Sequence, residues 1–175
     1  MHIILPVVSS VNGKITKGAN PYVHVWASKE DASYFSDLKS QRNLLVMGSK
    51  TYETSREHME HAPGKLRVIM TRSPEKYAHE AIPNILEFTS QSVPELLKEL
   101  ENRGFKDMLL VGGGEINGLF LAAHVVNEIW VTIEPQLFGS GRPIFESPDT
   151  YVNLTLQSTQ QLNKQGTLLI KYTVS

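Results

Sequence analysis

The chain contains no cysteine, which excludes disulfide bonds, thiolate metal sites and a cysteine nucleophile. It also lacks a long run of one charge sign, since 17 basic and 18 acidic residues leave a formal net charge of −1. We therefore expect no nucleic acid or membrane partner and favour a small molecule. No stretch reaches the ~18 apolar residues of a membrane span, and the amino end lacks the basic start of a signal peptide. The expected location is the cytoplasm.

The order of apolar and periodic segments predicts one domain, residues 1–175, without repeats or linkers. Strands are predicted at 2–8, 43–48, 66–71, 84–88, 108–111 and 128–135, with two antiparallel strands in 151–175. Helices are predicted at 28–41, 92–104 and 115–124, and a further helix opens at 48–51. This order predicts an α/β fold: a central, mostly parallel mixed sheet, flanked by helices and closed by a C-terminal antiparallel hairpin.

Two of the predicted helices begin with a capping pattern. Ser28 with Asp31, and Ser92 with Glu95, have the spacing in which each residue bonds the backbone of the other. Gly104 follows the second of these helices and predicts where it ends.

Three consecutive glycines, Gly112, Gly113 and Gly114, join a predicted strand to a predicted helix. Helix starts at the carboxyl ends of parallel strands offer unpaired N–H groups to phosphate, and a backbone without Cβ atoms allows close approach. A tight turn beneath a packed helix is the alternative explanation. The pattern is not the G-x-G-x-x-G fingerprint, because it comes late in the chain and Asn117 occupies the last glycine position.

Two further strand ends carry groups that bind phosphate. The first is GSKT, residues 48–51, where Lys50 supplies charge and Thr51 supplies a hydroxyl. The second is TRS, residues 71–73, where Arg72 suits the extra 2′-phosphate of NADPH. Each is weak evidence alone, because exposed basic residues are often only solvated. Three such junctions in one sheet favour a phosphorylated ligand.

These motifs resemble those of the dihydrofolate reductase-like superfamily. The stretches GSKTY, VIMTRS, LLVGGGEINGLFL and NEIWVTIEPQLFGSGRPIF are most similar to the reductase domain of the bifunctional riboflavin-biosynthesis deaminase-reductases and their free-standing relatives. SSVNGKI resembles their S-x-D-G-K-I turn, with Asn12 in the acidic position. The resemblance spans nearly the whole chain and implies an NADPH-dependent reductase with the dihydrofolate reductase-like fold.

The resemblance also implies roles for individual residues. Gly13 would border the nicotinamide, and Lys14 would line the substrate site beside it. Glu115 departs from the arginine that some dihydrofolate reductases carry there, which bears on the preference for NADPH over NADH. The residues implied in cofactor binding are Gly13, Gly48, Ser49, Lys50, Thr51, Thr71, Arg72, Ser73, Val111, Gly112, Gly113, Gly114, Glu115 and Ile116.

Asp31 is the predicted catalytic residue. Dihydrofolate reductases carry a carboxylate four residues before a phenylalanine in the first long helix, supported by a threonine on a later strand. Asp31, Phe35 and Thr132 repeat this arrangement and would contact the substrate. Hydride delivery requires a proton on a neighbouring atom, and a carboxylate screened from water has a pKa suited to supply it. Helix capping is a second role for Asp31 that does not exclude the first.

The sequence favours one substrate class and leaves two alternative functions open. The approach from Ile15 to Trp26 lacks the tryptophan-leucine-proline sequence of folate enzymes, whereas NGKI and residues 139–145 are closer to riboflavin-type reductases, which reduce the ribose carbonyl of a phosphoribosylaminopyrimidine. A true dihydrofolate reductase and a non-catalytic nucleotide-binding module are the alternatives. No metal is expected, and His58 and His61 are assigned to a solvated loop. The resemblance is compatible with a homodimer paired through sheet edges.

Overall fold

A computed structural model describes residues 1–147 and 149–175, which form eight β-strands and four α-helices. The strands are β1 (His2–Ser10), β2 (Leu44–Gly48), β3 (Leu66–Met70), β4 (Leu86–Thr89), β5 (Asp107–Leu110), β6 (Glu128–Glu134), β7 (Leu154–Gln161) and β8 (Leu168–Val174). The helices are α1 (Lys29–Ser40), α2 (Ser49–Ser55), α3 (Val93–Asn102) and α4 (Gly114–Ala122). The predicted succession of elements is confirmed.

All strands belong to one sheet with the order β4-β3-β2-β5-β1-β6-β8-β7. The first six strands in this order are parallel, β8 pairs antiparallel with β6, and β7 pairs antiparallel with β8. The α/β class, the mostly parallel sheet and the C-terminal hairpin at one edge are therefore confirmed.

Helices cover both faces of the sheet, which explains why the central strands are apolar throughout. Leu96 and Leu100 of α3 and Phe120 of α4 pack on one face with the inward residues of β1, β2, β3 and β5. Leu38 of α1 and Tyr52 of α2 pack on the other face. None of the helices in the described residues is long and apolar enough to cross a bilayer.

The two predicted capping boxes have different outcomes. At α3, Ser92 and Glu95 form the full reciprocal box, with the Ser92 N–H 2.9 Å from the Glu95 carboxylate. At α1 the box is half formed, so that prediction is wrong in part. The Asp31 N–H donates to Ser28 Oγ at 3.2 Å, but the Ser28 N–H donates instead to Glu134 Oε1 at 2.8 Å. The Asp31 carboxyl is therefore not used in capping.

The chain leaves the carboxyl ends of β5 and β1 toward opposite faces of the sheet. After β5 it enters α4 on one face, whereas after β1 it enters α1 on the other. Since β5 and β1 are neighbours in the sheet, the connections change sides between these two strands. In open α/β sheets the carboxyl edge at such a point is the usual place for a ligand.

Candidate active site

The glycine turn after β5 contacts the end of β2 directly. The Gly48 N–H donates to the Gly112 carbonyl at 2.7 Å. A Cβ added to Gly48 would lie 2.7 Å from Ile116 Cγ1, and one added to Gly113 would lie 3.4 Å from Thr51 Oγ1. Because these residues lack side chains, the ends of β2 and β5 and the start of α4 can lie close together. We call this group, Gly48, Gly112, Gly113 and Gly114, the glycine corner.

Groups that could bind a ligand face this corner. Gly113 precedes α4, and no side chain of the described residues caps that helix, so its first-turn N–H groups have no acceptor within the helix. Asn117 Nδ2 donates to the Ile144 carbonyl at 2.7 Å, while its buried Oδ1 has no hydrogen-bond partner among the described residues. A Cβ on Gly112 would lie 3.4 Å from that oxygen. The corner combines uncapped amides with an unused acceptor.

Two basic side chains from separate loops meet at the same corner. Lys50 Nζ lies 3.8 Å from Glu115 Oε2, and Arg72 Nη2 lies 3.4 Å from Glu115 Oε1. The Arg72 side chain is 92% exposed, so it is free to turn toward a ligand. The residues after β2, β3 and β5 that the sequence predicted separately are therefore brought together, with Glu115 between the two cations.

The loop after β1 is fastened to the segment that follows β6. The Asn12 side chain donates to the Phe138 carbonyl at 2.7 Å and accepts from the Phe138 N–H at 3.1 Å. A carboxylate could not donate the first of these bonds, which explains asparagine in the acidic position of the turn. Gly13 has φ +72°, and Lys14 forms a β-bridge with Pro143. The loop with Gly13 and Lys14 therefore reaches α4 through Pro143.

The same segment packs tightly on the start of α4. The Glu146 N–H donates to the Gly114 carbonyl at 2.8 Å. A Cβ on Gly114 would lie 2.7 Å from the Pro143 carbonyl oxygen, and one on Gly118 would lie 2.3 Å from that of Glu146. These two glycines are required by close backbone packing. Gly112 and Gly113 lie instead against the side chains of Asn117 and Thr51.

Asp31 lies beyond β1 from the glycine corner, on the first turn of α1. Its side chain is buried, with 7% of the residue exposed. Thr132 and Glu134 are two positions apart, so both point to the face of β6 that α1 covers, and both are buried. Burial raises the pKa of Asp31 to about 6; hydrogen bonding by Thr132 opposes this rise, and the Glu134 charge adds to it. Asp31 therefore changes its protonation state near neutral pH.

Aromatic residues line the surroundings of Asp31. Phe35 is half-buried one turn further along α1, with Lys39 Nζ 4.8 Å from its ring centroid. Trp26 packs edge-on against Phe138 with centroids 5.1 Å apart. Trp26 Nε1 and the Tyr34 hydroxyl are buried without a hydrogen-bond partner among the described residues.

The glycine corner and the Asp31 pocket lie side by side at the carboxyl edge of the sheet. β5 and β6 flank β1, so the two parts are separated by about two strand spacings, roughly 10 Å. The sequence does not predict a site role for Asn117 or Glu134. Glu134 could have been found, because it follows Thr132 by two positions and so shares its face of the strand.

Other features carry less chemistry. A cavity of about 400 Å³ lies at the amino ends of β3 and β5, lined by Leu66, Arg103 and Phe105 among others. Arg103 is already bonded to Glu87 at 2.7 Å, so this cavity offers no free charge from that residue. Within residues 1–147 and 149–175, no group of three or more potential metal ligands comes together.

Comparisons with known proteins fit this architecture. The family model of the RibD C-terminal domain matches residues 1–168. The chain belongs to this family. An uncharacterised Bacillus subtilis protein, YyaP, is 24% identical over 183 aligned positions that cover 97% of this chain and 93% of that protein. The resemblance to riboflavin-type reductases of the dihydrofolate reductase-like superfamily is confirmed.

Solved structures share the fold at low identity. A putative riboflavin biosynthesis protein from Shewanella sp. PV-4 superposes with a TM-score of 0.80 at 18% identity, covering 100% of this chain and 99% of that one. The Thermotoga maritima diaminohydroxyphosphoribosylaminopyrimidine deaminase/5-amino-6-(5-phosphoribosylamino)uracil reductase has a TM-score of 0.76 at 16% identity. It covers 99% of this chain, which spans 56% of that larger protein.

Proposed function

We propose that this protein is an NADPH-dependent reductase of a phosphoribosylaminopyrimidine or closely related heterocycle. The observation that carries the proposal is the convergence of three phosphate-binding strand ends beside a buried carboxyl. Lys50 and Arg72 both contact Glu115 at the start of α4. Asp31 is buried on the other side of β1. Membership of the RibD C-terminal domain family supports a reductase with a nicotinamide cofactor.

The glycine corner fits the pyrophosphate and adenosine end of NADPH. Gly112 and Gly113 present backbone without side chains, and the uncapped amides of α4 favour an anion. Lys50 and Thr51 would contact the pyrophosphate, while Arg72 would meet the 2′-phosphate with Thr71 and Ser73 beside it. The unused Asn117 acceptor beside Gly112 adds a position where a hydroxyl of the cofactor could donate.

Asp31 would supply the proton of the reaction. A nicotinamide cofactor held at the glycine corner would supply a hydride for the carbonyl carbon, and the carbonyl oxygen would then need a proton. Burial holds the pKa of Asp31 at about 6, so a substantial fraction of the carboxyl is protonated just below neutral pH. Phe35 and Thr132 on either side of Asp31 would orient the substrate ring, and Lys14 would approach it from the opposite loop.

Two observations favour a phosphorylated pyrimidine over a folate. The loop after β1 carries the NGKI sequence that resembles riboflavin-type reductases and is held against Phe138 and Pro143, and the Thermotoga maritima relative in fold is a uracil-type reductase. Dihydrofolate reduction is the second candidate, because Asp31 and Thr132 come together as they do in folate enzymes. Both candidates use the same cofactor corner and the same proton donor.

Binding and turnover experiments separate these functions. Thermal unfolding is followed with NADPH, NADH, dihydrofolate and pyrimidine nucleotides, and loss of reduced-nicotinamide absorbance is measured with 5-amino-6-(5-phosphoribosylamino)uracil and with dihydrofolate. We expect NADPH to stabilise the protein more than NADH and the pyrimidine to be reduced. Reduction of dihydrofolate alone would assign the second candidate. Absence of binding to either dinucleotide would refute the reductase proposal.

A non-catalytic nucleotide-binding module is the remaining alternative. It would retain the glycine corner but make no use of the buried carboxyl. Stabilisation by NADPH, without turnover of either substrate, would favour it. An Asp31→Asn variant tests any turnover that is found. If the wild type reduces a substrate, the variant should lose that turnover while its affinity for NADPH stays normal.

A further inference from the structure

Glu134, at the end of β6, is a buried carboxylate with no role in the reaction proposed above. It is 2% exposed. Its Oε1 accepts the Ser28 N–H at 2.8 Å, and its Oε2 accepts the Thr167 hydroxyl at 2.7 Å. Burying a carboxylate is costly unless both oxygens are bonded, and here one bond goes to the helix that carries Asp31.

The contacts continue from Glu134 into the β7–β8 hairpin and back to α1. Asn163 Nδ2 donates to Thr167 Oγ1 at 2.9 Å and to Glu30 Oε2 at 3.2 Å. Asn163 Oδ1 accepts the Thr167 N–H at 3.1 Å. The hairpin turn therefore holds the first turn of α1 at two points, Ser28 through Glu134 and Glu30 directly. Asp31 is the next residue along the helix.

Glu134 also contributes a negative charge beside Asp31. Two carboxylates in one poorly hydrated pocket cannot both ionise without cost, so one of them retains its proton more strongly. The Glu134 carboxylate accepts two hydrogen bonds, from the Ser28 N–H and the Thr167 hydroxyl, whereas Asp31 has the Thr132 hydroxyl. The polar groups around the pair are Ser28 before α1, Tyr34 of α1, Thr132 of β6, Thr167 of the hairpin and Ser10 of β1, which pairs in register with Glu134. Charged groups near them are Glu30, bonded to the hairpin, and two cations close to Tyr34, Lys171 and Arg42.

We propose that Glu134 is a positioning residue for the reductase reaction, fixing the start of α1 from the hairpin and keeping the proton on Asp31. This inference rests on the proposed function, because it assigns to Asp31 the role of proton donor. Glu134 itself does not touch the substrate. Its carboxylate acts through the helix start and through its charge.

A Glu134→Gln variant tests the charge. The amide keeps an oxygen for the Ser28 N–H and can donate to Thr167 Oγ1, so shape and packing are conserved. An NMR titration of the Asp31 side-chain carboxyl should show its midpoint falling by about 0.5 pH or more. The descending limb of the kcat profile should move to lower pH by the same amount, with KM for NADPH unchanged. Glu128→Gln, the same substitution at the other end of β6, is the matched control and should move neither.

A second variant keeps the inference testable if Glu134→Gln does not fold. Asn163→Ala leaves both buried carboxylates in place and removes the hairpin's hold on Glu30 and Thr167. We expect hydrogen exchange of the Ser28 amide to accelerate roughly fivefold or more. An unchanged Asp31 midpoint in folded Glu134→Gln, or unchanged Ser28 exchange in Asn163→Ala, would overturn the inference.

The NMR and exchange measurements do not depend on turnover. A shifted Asp31 midpoint in a protein that reduces neither substrate would therefore refute the proposed reaction while leaving the link between Glu134 and Asp31 established. Normal turnover with an Asp31 midpoint indifferent to Glu134 would retain the reaction and reject the positioning role.

Discussion

The Arg72 guanidinium lies 3.4 Å from the Glu115 carboxylate, which also reaches Lys50 at 3.8 Å. The acidic side chain thus occupies the position between two cations where a phosphate of the cofactor would be held. A bound phosphate must displace Glu115 or share the cations with it. The first two predictions follow from this competition.

Removing the Glu115 charge should strengthen NADPH binding. In Glu115→Gln, Arg72 would be free to bind the 2′-phosphate, and Lys50 the pyrophosphate, without a competing carboxylate, so the Kd for NADPH should fall roughly three- to fivefold, as is typical of exposed ion pairs. The Kd for NADH should change less, because NADH lacks that phosphate. Fluorescence titration measures both constants, and Glu99→Gln on α3 controls for net charge. Equal effects on the two dinucleotides would contradict the prediction.

Removing Arg72 should act in the opposite direction. In Arg72→Ala the guanidinium that would bind the 2′-phosphate is lost, while the Glu115 carboxylate remains. KM for NADPH should therefore rise roughly tenfold or more, while KM for NADH changes little. Steady-state kinetics with each dinucleotide check this. An equal rise for both would assign Arg72 to general charge attraction.

Asp31 should lower the stability of the protein at neutral pH. Burial raises its pKa from 3.8 to about 6, so the folded state binds more protons than the unfolded state between these values. The resulting stability is present below about pH 4 and is lost as pH rises through about pH 6. Asp31→Asn should therefore be more stable than the wild type by about 3 kcal/mol at about pH 8, and nearly equal at about pH 4.

Urea unfolding of both proteins at the two pH values measures this difference. The same variant should lose turnover while binding NADPH normally, because the amide cannot act as the acid. Full turnover in Asp31→Asn would leave the residue without a catalytic role, and its carboxyl is already absent from the helix cap.

Gly118 should tolerate no side chain. A Cβ at this position would lie 2.3 Å from the Glu146 carbonyl oxygen, so Gly118→Ala must push the 142–146 segment away from α4 at a cost of roughly 1–3 kcal/mol. Gly139→Ala is the matched control, because nothing lies within 4 Å of its added Cβ. Denaturant unfolding compares them. Equal stability of the two variants would show that the segment yields easily.

The free edge of β7 fits pairing between two copies of the chain. β7 pairs within the sheet only with β8 among the described residues, and its side chains, including Leu154 and Leu156, are exposed. An exposed edge strand is prone to pair with another strand. We expect a homodimer by light scattering and a monomer for Leu156→Lys, with Leu119→Lys on α4 as the control. A monomeric wild type would refute the expectation.

The sequence predicted the fold well because its signals were local. The buried strands and the Ser92 cap are read from neighbouring residues, and the order of elements then restricts the sheet. The Ser28 cap was misjudged because its N–H is bonded by Glu134, which is 106 positions distant in sequence. The sequence identifies Asn117 only as a departure from the glycine fingerprint. Its hydrogen bond to the Ile144 carbonyl depends on packing between segments that are distant in sequence. Long-range polar contacts of this kind produce no periodic pattern in the amino-acid sequence.

Strand β1 separates the glycine corner from Asp31, and both neighbours are hydrogen-bonded to it. A ligand that contacts both parts would therefore have to extend across the end of β1. A molecule much shorter than two strand spacings, roughly 10 Å, would contact only one of them, so this arrangement would select ligands by length before it selects them by substituents.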